Sequence, residues 1–239
     1  MDEAFAIAWG ITGAGAYIED SVDVIGKLIL TRGIPVTVFV SRAGKTVLKA
    51  YGLLDKLESM IKGDYPTGVI YEDNEQPGFP VTGRMYKGVY GMVVIAPSTM
   101  NTVSKIVNGI ADTLVTCLAM HAIKTGTPLY ILPVDAFETK SKIPLVIERK
   151  KCAQCLKCIV AEICPTGALK PSHMYKVEVN PVLCTRCYKC LYACPQDAVK
   201  FDVEITVRPH KHYLSIINKL RDIEGVNIID HPARILEMV

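Results

Sequence analysis

Eight of the nine cysteines fall into two runs, and each run closes on a Cys-Pro pair. The first is Cys152-x2-Cys155-x2-Cys158-x5-Cys164-Pro165, and the second is Cys184-x2-Cys187-x2-Cys190-x3-Cys194-Pro195. Thiols this closely spaced need partners, which are each other, a metal ion or a cluster. Disulfides require an oxidising compartment. The chain opens Met-Asp-Glu-Ala without a basic stretch and a following apolar run, so no secretory signal is visible. Zinc takes four ligands per site, typically from paired C-x2-C knuckles, whereas each run here supplies three closely spaced cysteines and a Cys-Pro.

Three thiolates separated by two residues each are aimed by a short loop at neighbouring irons of a cubane. The cysteine before proline is carried across to the opposite cluster. The spacing thus assigns Cys152, Cys155, Cys158 and Cys194 to one [4Fe-4S] centre, and Cys184, Cys187, Cys190 and Cys164 to the other. This layout resembles a two-cluster bacterial-type ferredoxin and makes electron transfer the expected chemistry. The first run departs from the compact pattern by its five-residue spacer, Ile159-Val-Ala-Glu-Ile163. Two extra residues bulging outward keep the fourth ligand; a three-iron or altered first cluster is the alternative. Cys117, in the apolar stretch Leu114–Met120, is expected to be a small buried hydrophobe.

A ferredoxin module occupies only residues 149–201 of the 239, which leaves residues 1–148 as a further domain and 202–239 as an extension, a small cap or an oligomer contact. No apolar run is long enough to span a bilayer, and a cytoplasmic protein without a membrane partner is expected. Residues 149–200 hold nine Lys/Arg against three Asp/Glu, so the basic excess is concentrated there. Two oxidised clusters with their thiolates contribute about −4 and take the formal +3 to about −1. Lys150, Lys151, Lys157, Arg186 and Lys189 therefore compensate cluster charge or receive an acidic electron donor. No nucleic-acid motif accompanies them.

Residues 1–148 alternate strand and helix. Ala4–Trp9, Ile34–Val40, Gly91–Ala96 and Pro128–Leu132 read as buried strands; 17–31, 45–61 and 102–125 carry helical spacing. The alternation predicts an α/β fold, a Rossmann-like (flavodoxin-like) parallel sheet with helices on both faces, joined to a small α+β ferredoxin domain. Ligands bind such sheets at the carboxyl ends of the strands. Three of those ends carry suitable chemistry. Gly10-Ile-Thr12-Gly13-Ala-Gly15 allows backbone to approach a phosphate at a helix N-terminus, with a tight structural turn as the alternative. Ser41-Arg-Ala-Gly44 offers a hydroxyl after the second strand. Ala96-Pro97-Ser98-Thr99-Met-Asn101-Thr102 offers hydroxyls and an amide to a polar ring edge or ribityl chain, or else caps the next helix.

Together these strand ends resemble the flavin-containing cysteine decarboxylase superfamily of FMN proteins. The most specific part is Ala96–Thr116, similar to that family's proline–small–small–x–Asn–Thr motif and its Lys-Ile-x-x-Gly-Ile-x-Asp-x-Leu helix. The resemblance implies FMN at a subunit boundary, with Gly10, Thr12, Gly13 and Ser41 near the phosphate, and Pro97, Ser98, Thr99 and Asn101 near the isoalloxazine. Decarboxylases of the superfamily place a catalytic histidine about fourteen residues before that proline; Val81–Val89 has none here, which disfavours cysteine decarboxylation. The fusion to a two-cluster ferredoxin resembles the archaeal dihydromethanopterin reductase (acceptor) and archaeoflavoprotein family. It implies reduction of dihydromethanopterin to tetrahydromethanopterin with electrons from a ferredoxin or other low-potential donor, in a homo-oligomer built from trimers.

The fusion also has a logic of its own. A cluster passes single electrons, while reducing a C=N bond takes a hydride equivalent, and a flavin converts between the two. The competing class is an electron-transfer flavoprotein that serves another protein. No proton donor or other catalytic residue is assigned: Tyr86 and Tyr90 fall in the segment hardest to place and read as exposed tyrosines, His121 beside Met120 reads as a packed or surface histidine, and His210, His212 and His231 have no partner visible in the sequence. In the tail, 203–207 and 226–229 read as strands and 212–222 as a helix.

Overall fold

The first strand, β1 (Ala6–Ile11), is buried at all six positions, which requires cover on both faces. The computed structural model describes residues 6–239, apart from the side chain of Ala153, so Ala4 and Phe5 of the expected strand lie outside the described residues. After β1 come α1 (Ile18–Leu30), β2 (Val36–Val40), α2 (Arg42–Ala50), α3 (Leu54–Met60) and the edge strand β3 (Gly68–Tyr71). The chain then crosses to β4 (Tyr90–Ser98), α4 (Met100–Val107), α5 (Leu114–Thr125) and β5 (Leu129–Pro133). Two helices expected to be continuous are broken. The 45–61 stretch splits at Gly52 (φ 69°), and the 102–125 stretch splits at Gly109 (φ 68°), each glycine holding a left-handed turn. α5 restarts with a capping box between Thr113 and Thr116.

The remaining chain runs through β6 (Thr139–Ile147), α6 (Ile159–Ile163), β7 (Leu169–Ser172), β8 (Lys176–Val179) and α7 (Lys189–Ala193). It closes with β9 (Val199–Val207), α8 (Lys211–Arg221), β10 (Val226–Ile228) and α9 (Arg234–Met238). β6 and β9 form an antiparallel ribbon that brackets the cysteine runs, and β7 and β8 form a hairpin within them.

Among the described residues the main sheet has six strands in the order β10-β5-β4-β1-β2-β3, every neighbouring pair parallel. Read from β3, this is the Rossmann order of two half-sheets rather than the flavodoxin order, with the switch point between β1 and β4. The tail does not end as a cap on the cysteine segment. β10 adds to β5 in register Val226↔Leu129, because Ile217 and Leu220 of α8 and Ile235 of α9 are apolar and buried in the two cores flanking the sheet. Trp9 sits at the centre, fully buried, its indole N–H donating to Ala96 O at 2.7 Å. Among the described residues no helix is long and apolar enough to cross a membrane.

Candidate functional site

The cysteine runs fold around two separate cavities. Cys152, Cys155, Cys158 and Cys194 line the first, with Ile147, Val160 and Val199 as apolar wall. Cys164, Cys184, Cys187 and Cys190 line the second, against Leu145, Leu169 and Phe201. The five-residue spacer becomes α6, one turn that lies beside α7 and delivers Cys164 to the second cavity. The spacer therefore bears on both sites: Cys164 at its end enters the second cavity, while its Ile159 and Val160 line the first.

Backbone N–H groups point at the sulfurs: Leu169 to Cys164, Arg186 to Cys184 and Ala198 to Cys194, each at 3.4 Å. Burial pushes the Cys152 and Cys190 thiols up, and neighbouring thiolates add to the shift. Burial acts on Cys164 the same way, but N–H groups of Leu169 and Thr166 outweigh it and hold that thiol below the usual cysteine range. Four crowded thiolates favour a shared cationic group between them. Among the described residues, no three His, Cys, Asp or Glu side chains converge on a single ion. Thiols facing one another across an apolar cavity suit a polynuclear centre.

At the switch point, the β1 and β4 ends are tied together. The Thr12 hydroxyl donates to Pro97 O at 2.8 Å and accepts from Thr99 N–H at 2.9 Å, so it is committed within the protein. Gly10 lies inside β1, where a Cβ would stand 3.0 Å from Val115 on α5; its glycine serves packing. At Gly13 a Cβ would come within 2.7 Å of Ala43 Cβ, and at Gly44 within 2.6 Å of Ile11 O. These two glycines let the loop after β1 and the start of α2 approach closely. Ser41 caps α2 through Gly44 N–H at 3.0 Å. Thr99 caps α4, Asn101 is exposed on its first turn, and the Ser98 hydroxyl is buried with no hydrogen-bond partner among the described residues.

Two features of this site were missed from sequence. Asp135, just after β5, accepts from Met100 N–H at 3.2 Å and places a carboxylate at the α4 N-terminus. The first turn of α2 contains Arg42 and no acid, an order unfavourable to the helix dipole unless an anion is near; Arg42 and Lys45 both reach Asp73. Asp135 follows a fourth strand end, and a search of all carboxyl ends would have found it.

The second cavity adjoins the main sheet. Cys184, Thr185 and Arg186 face Lys49, Gly52 and Asp55 across a surface groove between the cysteine segment and the α2–α3 turn. A Cβ at Gly52 would stand 2.8 Å from Arg186 Cδ. Arg186 also pairs with Asp202 and lies over the Phe201 ring. Next to Gly52, Tyr51 packs its phenol against Gly15 and donates to Lys142 O on β6. Contacts thus run without a gap from Cys184 to the loop after β1.

A Rossmann-ordered parallel sheet joined to two four-thiol cavities defines an iron–sulfur flavoprotein. The profile of the Flavoprotein family matches residues 1–165 and that of a 4Fe-4S dicluster domain matches residues 144–195. The chain is 35% identical over 235 residues to dihydromethanopterin reductase (acceptor) of Methanosarcina mazei, covering 97% of this chain and 98% of the relative. It is 39% identical over 234 residues to the protein of the same name from Methanocaldococcus jannaschii, covering 97% and 94%. Burkholderia xenovorans DmrB, solved with FMN as a cubic protein cage for redox transfer, shares the fold with a TM-score of 0.63 at 20% identity, over 100% of this chain and 94% of that one. The chain belongs to the dihydromethanopterin reductase (acceptor) family of oxidoreductases within the flavoproteins.

Proposed function

We propose that this chain takes single electrons at its cysteine sites and uses them, through FMN, to reduce a pterin, dihydromethanopterin to tetrahydromethanopterin. The observation that carries the proposal is the sorting of eight cysteines into two crossed sets of four, the second packed against the flavoprotein sheet. FMN, when bound, supplies the conversion of single electrons into a hydride equivalent. The crossed sets support Cys152, Cys155, Cys158 and Cys194 as ligands of one [4Fe-4S] centre, and Cys164, Cys184, Cys187 and Cys190 as ligands of the other. The proposed division at 148/149 and 201/202 outlines the flavin and cysteine units, with β9 (Val199–Val207) spanning the second boundary and the last segment completing the sheet.

The residues at the switch point suit FMN in a particular sense. The carboxylate of Asp135 opposes a phosphate at the α4 N-terminus. The α2 N-terminus, with Ser41, Arg42 and Lys45 beside Gly13, favours one. Ser98, Thr99 and Asn101 are then left for the ring and ribityl groups, with the unpartnered Ser98 hydroxyl the clearest vacancy for a hydrogen bond. Thr12, Gly10 and Pro97 shape the site from behind. Asn101 is exposed there, which supports completion of the site by a neighbouring subunit in a homo-oligomer built from trimers. The donor is a ferredoxin or a similar carrier, and thiolate ligands suit the reducing cytoplasm.

Anaerobic purification followed by iron, sulfide and flavin analysis tests the cofactors. Reduced protein is then mixed with dihydropterin alone. Rapid reoxidation without a protein acceptor is expected, and reoxidation only by a protein acceptor overturns the reductase proposal.

A further inference from the structure

The two cysteine cavities differ in what surrounds them. Cys184 and Thr185 of the second also line a separate surface groove whose other wall is the α2–α3 turn. None of the residues that line the first lines that groove. Leu156, between Cys155 and the cavity-lining Lys157, is fully exposed at 101%. The tip of the β7–β8 hairpin folds over the same loop, because the Lys176 ammonium donates to Cys152 O and Cys155 O, each at 2.8 Å. That tip presents Met174, 77% exposed, and Tyr175, 56% exposed, with Arg149 Nη1 bonded to Tyr175 O. Leu156, Met174 and Tyr175 are thus large exposed side chains on the two loops that border the first site.

The rim is also basic. Between Arg149 and Lys176 the chain has six basic residues and one acid. Nearby carboxylates are already matched, Glu148 with Lys151 and Asp197 with Lys200. Exposed apolar residues ringed by one sign of charge form a docking surface for a partner of the opposite sign.

We infer that the rim of the first cavity, centred on Leu156, Met174 and Tyr175, docks a small acidic protein that carries one electron at low potential, so that electrons come in at the first site and leave from the second. This rests on the iron–sulfur proposal above. In each encounter the carrier is oxidised by one electron and the first site is reduced by one; no bond forms or breaks and no proton moves. In a second one-electron step the first site is reoxidised and the second, beside the α2–α3 turn, is reduced.

The test uses the full-length, anaerobically purified holoprotein with a reduced acidic two-cluster bacterial ferredoxin as probe. Stopped-flow absorbance gives the second-order rate of electron transfer at low ionic strength. Leu156→Glu and Met174→Glu are each expected to slow it by about tenfold or more and to weaken its salt dependence. The rate with reduced methyl viologen, which needs no docking surface, stays unchanged. Leu30→Glu, the same change at an exposed leucine of α1 (69% exposed), leaves the ferredoxin rate unchanged. Equal ferredoxin rates in all variants overturn the inference. So does a changed oligomeric mass in Leu156→Glu and Met174→Glu with the rates intact, which makes the rim a contact between copies of this chain. Failure of the iron–sulfur proposal itself shows separately, as missing iron and missing cluster EPR signals in the unmutated protein.

Discussion

Gly44→Ala tests how the sheet and the flavin site depend on one close approach. The added methyl would stand 2.6 Å from Ile11 O, where ordinary contact begins near 3.4 Å, so α2 must withdraw from the end of β1 by about 0.8 Å. Such overpacking costs about 1–3 kcal/mol. Withdrawal also stretches the Gly44 N–H to Ser41 Oγ cap, now 3.0 Å, whose loss costs about 1 kcal/mol. The helical preference of alanine over glycine returns about 0.5–1 kcal/mol. The net is a destabilisation of about 1–3 kcal/mol. The chain has one tryptophan, Trp9, buried in β1 two residues from Ile11, so its fluorescence in urea reports this part of the sheet directly. The matched control is Gly68→Ala on β3, where a Cβ meets nothing within 4 Å and the change is expected within about 0.5 kcal/mol. FMN affinity, measured by quenching of flavin fluorescence, is expected to fall about tenfold or more in Gly44→Ala, since the first turn of α2 is displaced. Unfolding midpoints equal to the unmutated protein, or lost stability with unchanged FMN affinity, would refute respectively the packing argument and the placement of the phosphate.

Three further outcomes follow from the same geometry. Thr12→Val removes the hydroxyl that joins Pro97 O to Thr99 N–H and leaves a buried donor unpaired; urea unfolding should show a loss of about 1–3 kcal/mol, largely restored by Thr12→Ser. Cys164→Ala should reduce the iron content and abolish one EPR signal while keeping the other, whereas loss of both or of neither contradicts the crossed assignment. Asp135→Asn takes a charge from the α4 N-terminus; stability should drop by about 0.3–1 kcal/mol in urea unfolding, with FMN affinity equal or tighter, and markedly weaker binding would place the phosphate at α4 instead.

What could be read from sequence was whatever is encoded locally. Thiol spacing specifies a ligand loop, and β-branched runs such as Val36–Val40 specify buried strands, so both survive without knowledge of the neighbours. Helix breaks were not legible, because the apolar spacing of 45–61 and 102–125 continues in phase across Gly52 and Gly109. The left-handed backbone at those glycines interrupts the helices without interrupting the pattern. The roles of Gly10 and Thr12 are ambiguous in sequence for a different reason. A glycine admitting Val115 and a hydroxyl spent on Pro97 and Thr99 look in sequence like a glycine and a hydroxyl offered to a ligand. The destination of the tail depends on contacts with residues about a hundred positions away, such as Val226 with Leu129.

That destination bears on how the redox parts are held. The cysteine segment is an insertion and not an appended module, since β6 leads out from β5 while β9 returns through α8 to β10, the neighbour of β5. Both ends are therefore fixed to one sheet by a ribbon of nine-residue strands. The ribbon is pinned near the flavin site by Lys142 with Glu19 at 2.8 Å and by the Tyr51 hydroxyl on Lys142 O. A module on a single flexible linker samples many separations from its acceptor, and electrons would wait on its diffusion. Here Arg186, seated on Gly52 and paired with Asp202 of β9, keeps the second cavity against the α2–α3 turn. The order of strands thus fixes how the second cavity sits against the α2–α3 turn, and with it the distance the proposed electron transfer would cross.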